Sequence, residues 1–248
     1  LVFGTASGGV RRNKLSDFRN MRAAGLIAMK LDEGDHLVGV ATCREPDDLF
    51  LATKLGRCIR FQIADNVRVF SGRDSSGVRG IRLQSGDEVI SLSVLRHVDR
   101  GVAVPDEEDV PESEVVETEV VDEPVEGAPD EIMLTVTDLG FGKRTLARHY
   151  RVTGRGGQGI ANINLTPRTG ASVVASFPVR PGDDVMLVTD EGRLIRVPSD
   201  QVRVTGRASM GVTVFRLGDT ERVTSVFPVL DDGEADAEPV ATGEPDAV

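Results

Sequence analysis

The sequence predicts an all-β fold, a propeller-like assembly of four-stranded blades recurring about every 50 residues. Three observations carry that prediction: four segments share one frame, each is built of short apolar runs rich in β-branched residues, and helical three–four periodicity is weak throughout. The frame opens on a Thr, with Gly three and Arg seven residues on: Thr5–Gly8–Arg12, Thr53–Gly56–Arg60, Thr137–Gly140–Arg144 and Thr189–Gly192–Arg196. The Thr-x-x-Gly spacing between two apolar runs reads as a hairpin whose Gly takes a left-handed turn position. A second anchor is Gly25, Gly77, Gly159 or Gly211, each with a Leu six residues later (Leu31, Leu83, Leu165, Leu217). A third, Gly34-Asp35, Gly86-Asp87 and Gly218-Asp219, leads into a further apolar run at Val38, Val89 and Val223. At most a helical turn is expected, near Pro198-Ser199-Asp200. One such unit cannot bury its own face, so neighbours must stack.

Charge divides the chain further. The 248 residues carry 29 Lys+Arg and 40 Asp+Glu, a formal charge of −11. Thirteen acids and no base lie between Val104 and Glu131, and seven acids and no base between Asp231 and Val248. Without them, 29 bases face 20 acids, so the body is basic, at about +9. The expected organisation is two blades over 1–103 (1–48 and 49–103), an acidic disordered insertion over 104–131, two blades over 132–230 (132–184 and 185–230), and an acidic disordered tail over 231–248. The acidic segments read as solvated linker and tail, or as mimics of DNA that compete for a basic surface. The chain begins at Leu1 inside an apparent strand, so a fragment is expected.

Several function classes drop out. No apolar run approaches the roughly 20 residues of a membrane helix. Two cysteines, Cys43 and Cys58, are too few for a disulfide framework, and three scattered histidines offer no zinc spacing. Gly154-Arg155-Gly156-Gly157-Gln158-Gly159 is a literal G-x-G-x-x-G, yet it opens a strand at Ile160 rather than a helix, so it reads as a repeat loop and not a dinucleotide site. Tyr150 is the single tyrosine, but its repeat equivalents Phe18, Val67 and Val202 are apolar, which marks a core position rather than a nucleophile. No catalytic constellation recurs.

The bases follow the repeat. Arg12, Arg60, Arg144 and Arg196 close the first hairpin of each copy, and Arg73, Arg155 and Arg207 follow the Gly that opens the second loop. With Lys143 beside Arg144, these are the candidate DNA contacts, expected on one rim because equivalent positions of a propeller point the same way. Of the 29 bases 25 are Arg, suited to forked contacts with phosphate oxygens. With 4% aromatic residues and no Trp, stacking on single strands is poorly served, so the duplex backbone is the better fit.

The stretch Leu134-Thr135-Val136-Thr137-Asp138-Leu139-Gly140-Phe141-Gly142-Lys143-Arg144-Thr145, followed by Tyr150 to Ile160, closely resembles the C-terminal domain of DNA gyrase A subunits. Met29 to Asp35 and Val185 to Thr189 fit the same family. The resemblance implies a six-bladed β-pinwheel, in which neighbouring blades exchange a strand and a basic rim wraps double-stranded DNA. Four of the six blades are recognisable here, and the family's Q-R-R-G-G-K-G box is missing; Gly154 to Gly159 only echoes it. The resemblance further implies a cytoplasmic, nucleoid-associated bacterial protein, partnered by the gyrase B subunit, by DNA and by the remainder of its own polypeptide. Neither catalytic residues nor a cofactor are expected in these blades, the ATP and Mg2+ of the whole topoisomerase being bound elsewhere. The equivalent topoisomerase IV domain, or a propeller scaffold for protein contacts, are the alternatives.

Overall fold

The computed structural model describes residues 1–20, 23, 25–97 and 131–229. Arg22, the tail and all of the predicted insertion except Glu131 lie outside them. The first copy supplies β1 (Val2–Thr5), β2 (Gly9–Asn13) and β3 (Leu37–Ala41). The second supplies β4 (Asp48–Thr53), β5 (Arg57–Gln62), β6 (Val69–Phe70), β7 (Val78–Arg79) and β8 (Val89–Leu95). The third supplies β9 (Ile132–Thr137), β10 (Phe141–Leu146), β11 (Ile160–Ala161) and β12 (Val173–Val179). The fourth supplies β13 (Asp184–Thr189), β14 (Leu194–Pro198), β15 (Val212–Thr213) and β16 (Val223–Val229).

Each Thr-x-x-Gly is the predicted hairpin turn, and the geometry explains both residues. The Gly amide donates to the Thr carbonyl at 3.0–3.1 Å in all four copies. The glycines sit at φ +72° to +86°, where a Cβ would be strained. The buried Thr hydroxyl accepts the next amide, from Gly9, Arg57, Phe141 or Arg193, at 3.1–3.3 Å. An Asp ties this turn to the approach to the third long strand. Asp35 and Asp87 accept the turn amides of Ser7 and Leu55 at 3.0 and 2.9 Å. In the third and fourth copies the direction reverses: Asp138 and Asp190, within the turn, accept the amides of Ser172 and Arg222. Asp219, aligned by sequence with Asp35, therefore does not share its role. Burial disfavours the charged form of Asp35, but hydrogen bonds from the Ser7 hydroxyl and amide and the His36 amide outweigh it and hold the carboxyl below its ordinary range.

A helical turn follows the second strand in every copy, not only near Pro198: Leu15–Phe18, Ile63–Asn66, Ala147–His149 and Ser199–Gln201. The second is α-helical, with the Val67 amide bonded to the Ile63 carbonyl, whereas Tyr150 and Val202 bond three residues back. That wider turn absorbs the one residue by which the second copy is longer.

The blades are joined by exchange. β7 of the second copy pairs with β2 of the first, β11 of the third with β5 of the second, and β15 of the fourth with β10 of the third. Gly77, Gly159 and Gly211 open these strands at φ +96°, +71° and +79°. A Cβ at any of them would fall inside contact distance of a carbonyl on the receiving hairpin: Val10, Cys58 or Gly142. Side-chain-free backbone is required there. The resulting sheets run β3-β1-β2-β6 with β7 also on β2, then β11-β5-β4-β8, β12-β9-β10-β15 and β14-β13-β16. The last has three strands because the described chain gives it no exchanged one.

The apolar cores lie between blades. Val2, Val10, Leu49, Ile59 and Ile81 fill the first junction. Phe50, Cys58, Met133, Tyr150 and Ile160 fill the second, and Leu134, Val136, Leu187 and Val202 the third. Burying a side chain of this size contributes about 1.5–3 kcal/mol, so the junctions hold the assembly together. The neighbouring strands β3, β8, β12 and β16 pack along one edge of the arc, leaving β2, β5, β10 and β14 toward the opposite, outer edge.

Candidate nucleic-acid interface

The outer strands carry the predicted arginines, and most of those side chains turn inward. Arg60, at 6% exposure, donates from Nε to Asp48 at 2.8 Å, from Nη1 to the Ala147 carbonyl at 2.6 Å and from Nη2 to the Arg96 carbonyl at 3.2 Å. Asp48 is fully buried and also meets His97 Nδ1 at 2.8 Å. Arg144 bonds the Val202 carbonyl through Nε and Asp200 through Nη1, both at 2.6 Å. The Gly182 amide and Arg144 together hold the Asp200 carboxyl below its usual range. Arg12 is buried, and its Nε has no partner among the described residues. Lys143 is fully buried and donates to the Gly206 carbonyl at 2.8 Å and to that of Arg207. Only Arg196 of this set is exposed, paired with Asp184 at 2.6 Å. Among the described residues its hairpin receives no exchanged strand.

The second set has a common task. Arg73, Arg155 and Arg207 each donate through Nη1 to the carbonyl two residues after the preceding anchor glycine, at Ile27 (3.2 Å), Arg79 in β7 (3.1 Å) and Ala161 in β11 (2.8 Å). Arg155 also bonds the Asn66 carbonyl through Nε. Arg207 is buried, Arg73 half-buried and Arg155 exposed. The recurrence of these arginines is thus a periodicity of blade contacts: it marks guanidiniums that pin strands, loops and turns to the next blade.

A different set faces solvent. Arg19, Arg68, Arg151 and Arg203 are exposed, one in each copy, at the residue after half-buried Phe18 and buried Val67, Tyr150 and Val202. Arg68 lies 4.5 Å over the Phe70 ring, at the mouth of a cleft lined by Arg11, Gly72, Asp74 and Ser75. Lys30, Arg82 and Arg216 recur five residues after the anchor glycine and are likewise exposed, with Asn164 in the third copy. Both sets were available in the repeat alignment, the first one residue after and the second one residue before positions read for their apolar character.

Tyr150 is 1% exposed, gives its hydroxyl proton to Asn162 Oδ1 at 2.8 Å, and is raised in pKa by burial. Gly154 to Gly159 leads into the exchanged strand β11, as a repeat loop should. No three His, Cys, Asp or Glu among the described residues are grouped to hold a metal ion. No helix there is long and apolar enough to cross a membrane.

Comparison with known proteins places this arrangement. The family model described as the DNA gyrase C-terminal domain, a β-propeller, matches residues 1–44, 47–96, 131–180 and 183–230. The DNA gyrase A subunit of Granulibacter bethesdensis is 60% identical over 99% of this chain and 30% of its own length. That of Rickettsia bellii is 39% identical over 96% of this chain and 28% of its own. The chain therefore spans less than a third of these relatives. Among solved structures, the C-terminal domain of DNA topoisomerase IV aligns with a TM-score of 0.73 at 20% identity, over 92% of this chain and 61% of that one. A DNA gyrase A C-terminal domain aligns at 0.69 and 23%, over 92% and 65%. These two likenesses establish the β-propeller-like fold, and the sequence matches go further: the chain belongs to the DNA gyrase C-terminal domain family.

Proposed function

We propose that the chain binds duplex DNA by its phosphate backbone along the outer edge of the blade arc and bends it there, as the DNA-wrapping module of a gyrase. The observation that carries this reading is the exposed arginine found once in every copy: Arg19, Arg68, Arg151 and Arg203. Equivalent positions on successive blades give a row of forked donors that follows the curvature of the arc. Arg73, Arg155 and Arg196, from the periodic set, flank the row; Arg12, Arg60, Lys143, Arg144 and Arg207 are left to hold the blades beneath it. Bending 20–30 base pairs costs about 1–6 kcal/mol, which added ionic contacts offset. The partners are double-stranded DNA and, in the whole topoisomerase, the gyrase B subunit together with the remainder of the gyrase A polypeptide, in the bacterial cytoplasm. The reading gives these blades no ATP, no Mg2+ and no step of strand passage.

A salt titration on a plain duplex tests it. Each phosphate neutralised contributes about −0.9 to the log–log slope. Replacing Arg19, Arg68, Arg151 and Arg203 together by Gln should flatten the slope by about 3–4 while leaving the circular dichroism spectrum unchanged. A slope that does not move removes the row from the interface. No binding by the unaltered chain at low salt favours a protein scaffold instead.

A further inference from the structure

We infer that the duplex is not held evenly along the arc: four arginines at the seam between the second and third blades, Arg57, Arg79, Arg82 and Arg155, form its dominant phosphate anchor. This rests on the DNA-binding reading above and assigns the place where the backbone is gripped hardest.

Four repeat positions converge at each internal seam. They are the residue four after the frame Thr, those two and five after the second-anchor Gly, and the Arg of the next copy's second loop. At the second–third seam all four are Arg, and one loop, Gly154 to Gly159, gathers them. Arg57 donates to the carbonyls of Gln158 at 3.0 Å and Gly159 at 2.7 Å. Arg155, within the loop, donates to the Arg79 carbonyl at 3.1 Å. The Arg82 amide donates to the Gly157 carbonyl at 2.8 Å. Arg79, Arg82 and Arg155 are exposed and Arg57 is half-buried.

None of the four meets a carboxylate among the described residues, whereas Arg60, Arg144, Arg193 and Arg196 each do. The guanidiniums of Arg79 and Arg82 have no partner there, and those of Arg57 and Arg155 are held by carbonyls alone. A carbonyl orients a guanidinium without cancelling its charge, so these two are ordered before a ligand arrives. Four like charges fixed at one seam repel one another, and a polyanion relieves that repulsion.

The other internal seams lack the cluster. At the third–fourth seam the same positions are Phe141, Ala161, Asn164 and buried Arg207. At the first–second seam they are Gly9, Ile27, Lys30 and Arg73, and the loop there carries Asp74. The third-copy loop has no acid, and it has Gly156 and Gly157 where the fourth-copy loop has Ala208 and Ser209. Its exposed Gly154 has nothing within 4 Å of the Cβ position, so bare backbone admits a phosphate closely. The seam lies on the outer edge, since β11 pairs with the outer strand β5. Arg155 also touches Asn66, two residues from Arg68, which sets the anchor beside the middle of the exposed row.

The test uses the full chain and compares matched charge removals. Arg79→Gln with Arg82→Gln alters two exposed side chains that hold nothing in place, so the urea midpoint should not move. On a duplex of about 40 base pairs the log–log salt slope should flatten by about 2 and affinity at 0.1 M salt should fall about 60-fold, at about 0.9 of a logarithm per contact and decade of salt. Asn164→Arg, which supplies the charge missing from the third–fourth seam, should steepen the slope by about 1. On a short duplex of about 12 base pairs, roughly 40 Å long, the Arg79/Arg82 double variant should lose binding. Arg19→Gln with Arg203→Gln, at the two ends of the row, should there stay within about twofold of the unaltered chain. If the unaltered chain binds neither duplex, the DNA-binding reading fails and takes the anchor with it. If it binds, but the Arg79/Arg82 variant keeps its slope or loses no more on the short duplex than the Arg19/Arg203 variant, the row stands and the anchor is overturned.

Discussion

Replacing Arg60 by Met separates an arginine that builds the blades from one that binds a ligand. Methionine keeps the length of the stem and removes every donor. Three hydrogen bonds are lost, to Asp48, Ala147 and Arg96, at the junction between the second and third blades. Asp48 has no exposed surface and, among the described residues, keeps only its 2.8 Å contact with His97 Nδ1. Breaking a buried ion pair by removing one partner costs about 3–5 kcal/mol. His97 remains on the carboxylate and is partly solvated, which places the expected loss near the low end, about 3 kcal/mol. For a chain of this size that lowers the melting temperature by about 6–12 °C. Arg196→Met is the matched control: it holds the same frame position and bonds Asp184 at 2.6 Å, but its side chain is 63% exposed. A pair so solvated is worth about 0–1 kcal/mol. Urea unfolding followed by circular dichroism gives both stabilities, and a salt titration on a duplex gives both slopes. The reasoning is refuted if Arg60→Met unfolds like Arg196→Met, or if it stays stable while its slope flattens.

Three further outcomes follow from the geometry. Gly159→Ala should cost several times more stability than Gly192→Ala: both glycines have positive φ, worth about 1 kcal/mol to Ala, but only Gly159 abuts the Cys58 carbonyl, while Gly192 faces open space. Equal losses in urea unfolding would show that the exchanged strand does not sit this close. The Cys58 thiol, pushed up to about 12 by burial, should resist an alkylating reagent at pH 8 until the chain unfolds, while half-buried Cys43 reacts in the native state; rapid double labelling would contradict the closed second junction. Tyr150→Phe should lower stability by about 1 kcal/mol through the lost bond to Asn162, with DNA affinity unchanged. Lost affinity in a folded Phe variant would mean that the hydroxyl reaches beyond the core.

Much of the fold is legible in the sequence because each anchor answers to one local demand. Thr and Gly recur since one supplies a hydroxyl to the following amide and the other a left-handed turn, and neither demand depends on what lies across the blade. The second-anchor glycine is equally visible, but its reason is tertiary: a carbonyl of the preceding copy occupies the space of its Cβ. The identity of that carbonyl cannot be found within one repeat. Hence strand exchange came only from family resemblance, while the copy number came from spacing alone. The short helical turns escape a periodicity search because three or four residues contain no period. The Asp35-to-Asp138 reversal escapes alignment because donor and acceptor trade sides of one contact, which preserves the bond and moves the residue.

The arginines show where repeat logic must be joined to burial. Recurrence says that a side chain meets the same surroundings in every copy, and it is silent on whether those surroundings are solvent, a ligand or the next blade. Arginine suits all three, since its stem packs while its fork satisfies carbonyls. Arg60 and Arg144 carry the strongest spacing signal because a junction between blades tolerates less drift than a surface. Arg19, Arg68, Arg151 and Arg203 carry a weaker one because the helical turn before them varies by a residue, which shifts Arg68 relative to the Thr. In a propeller the deepest regularity therefore belongs to what holds the blades together. A charged position that keeps its neighbours but not its exact spacing is the better candidate for a partner such as DNA, whose flexible backbone accepts contacts at uneven intervals.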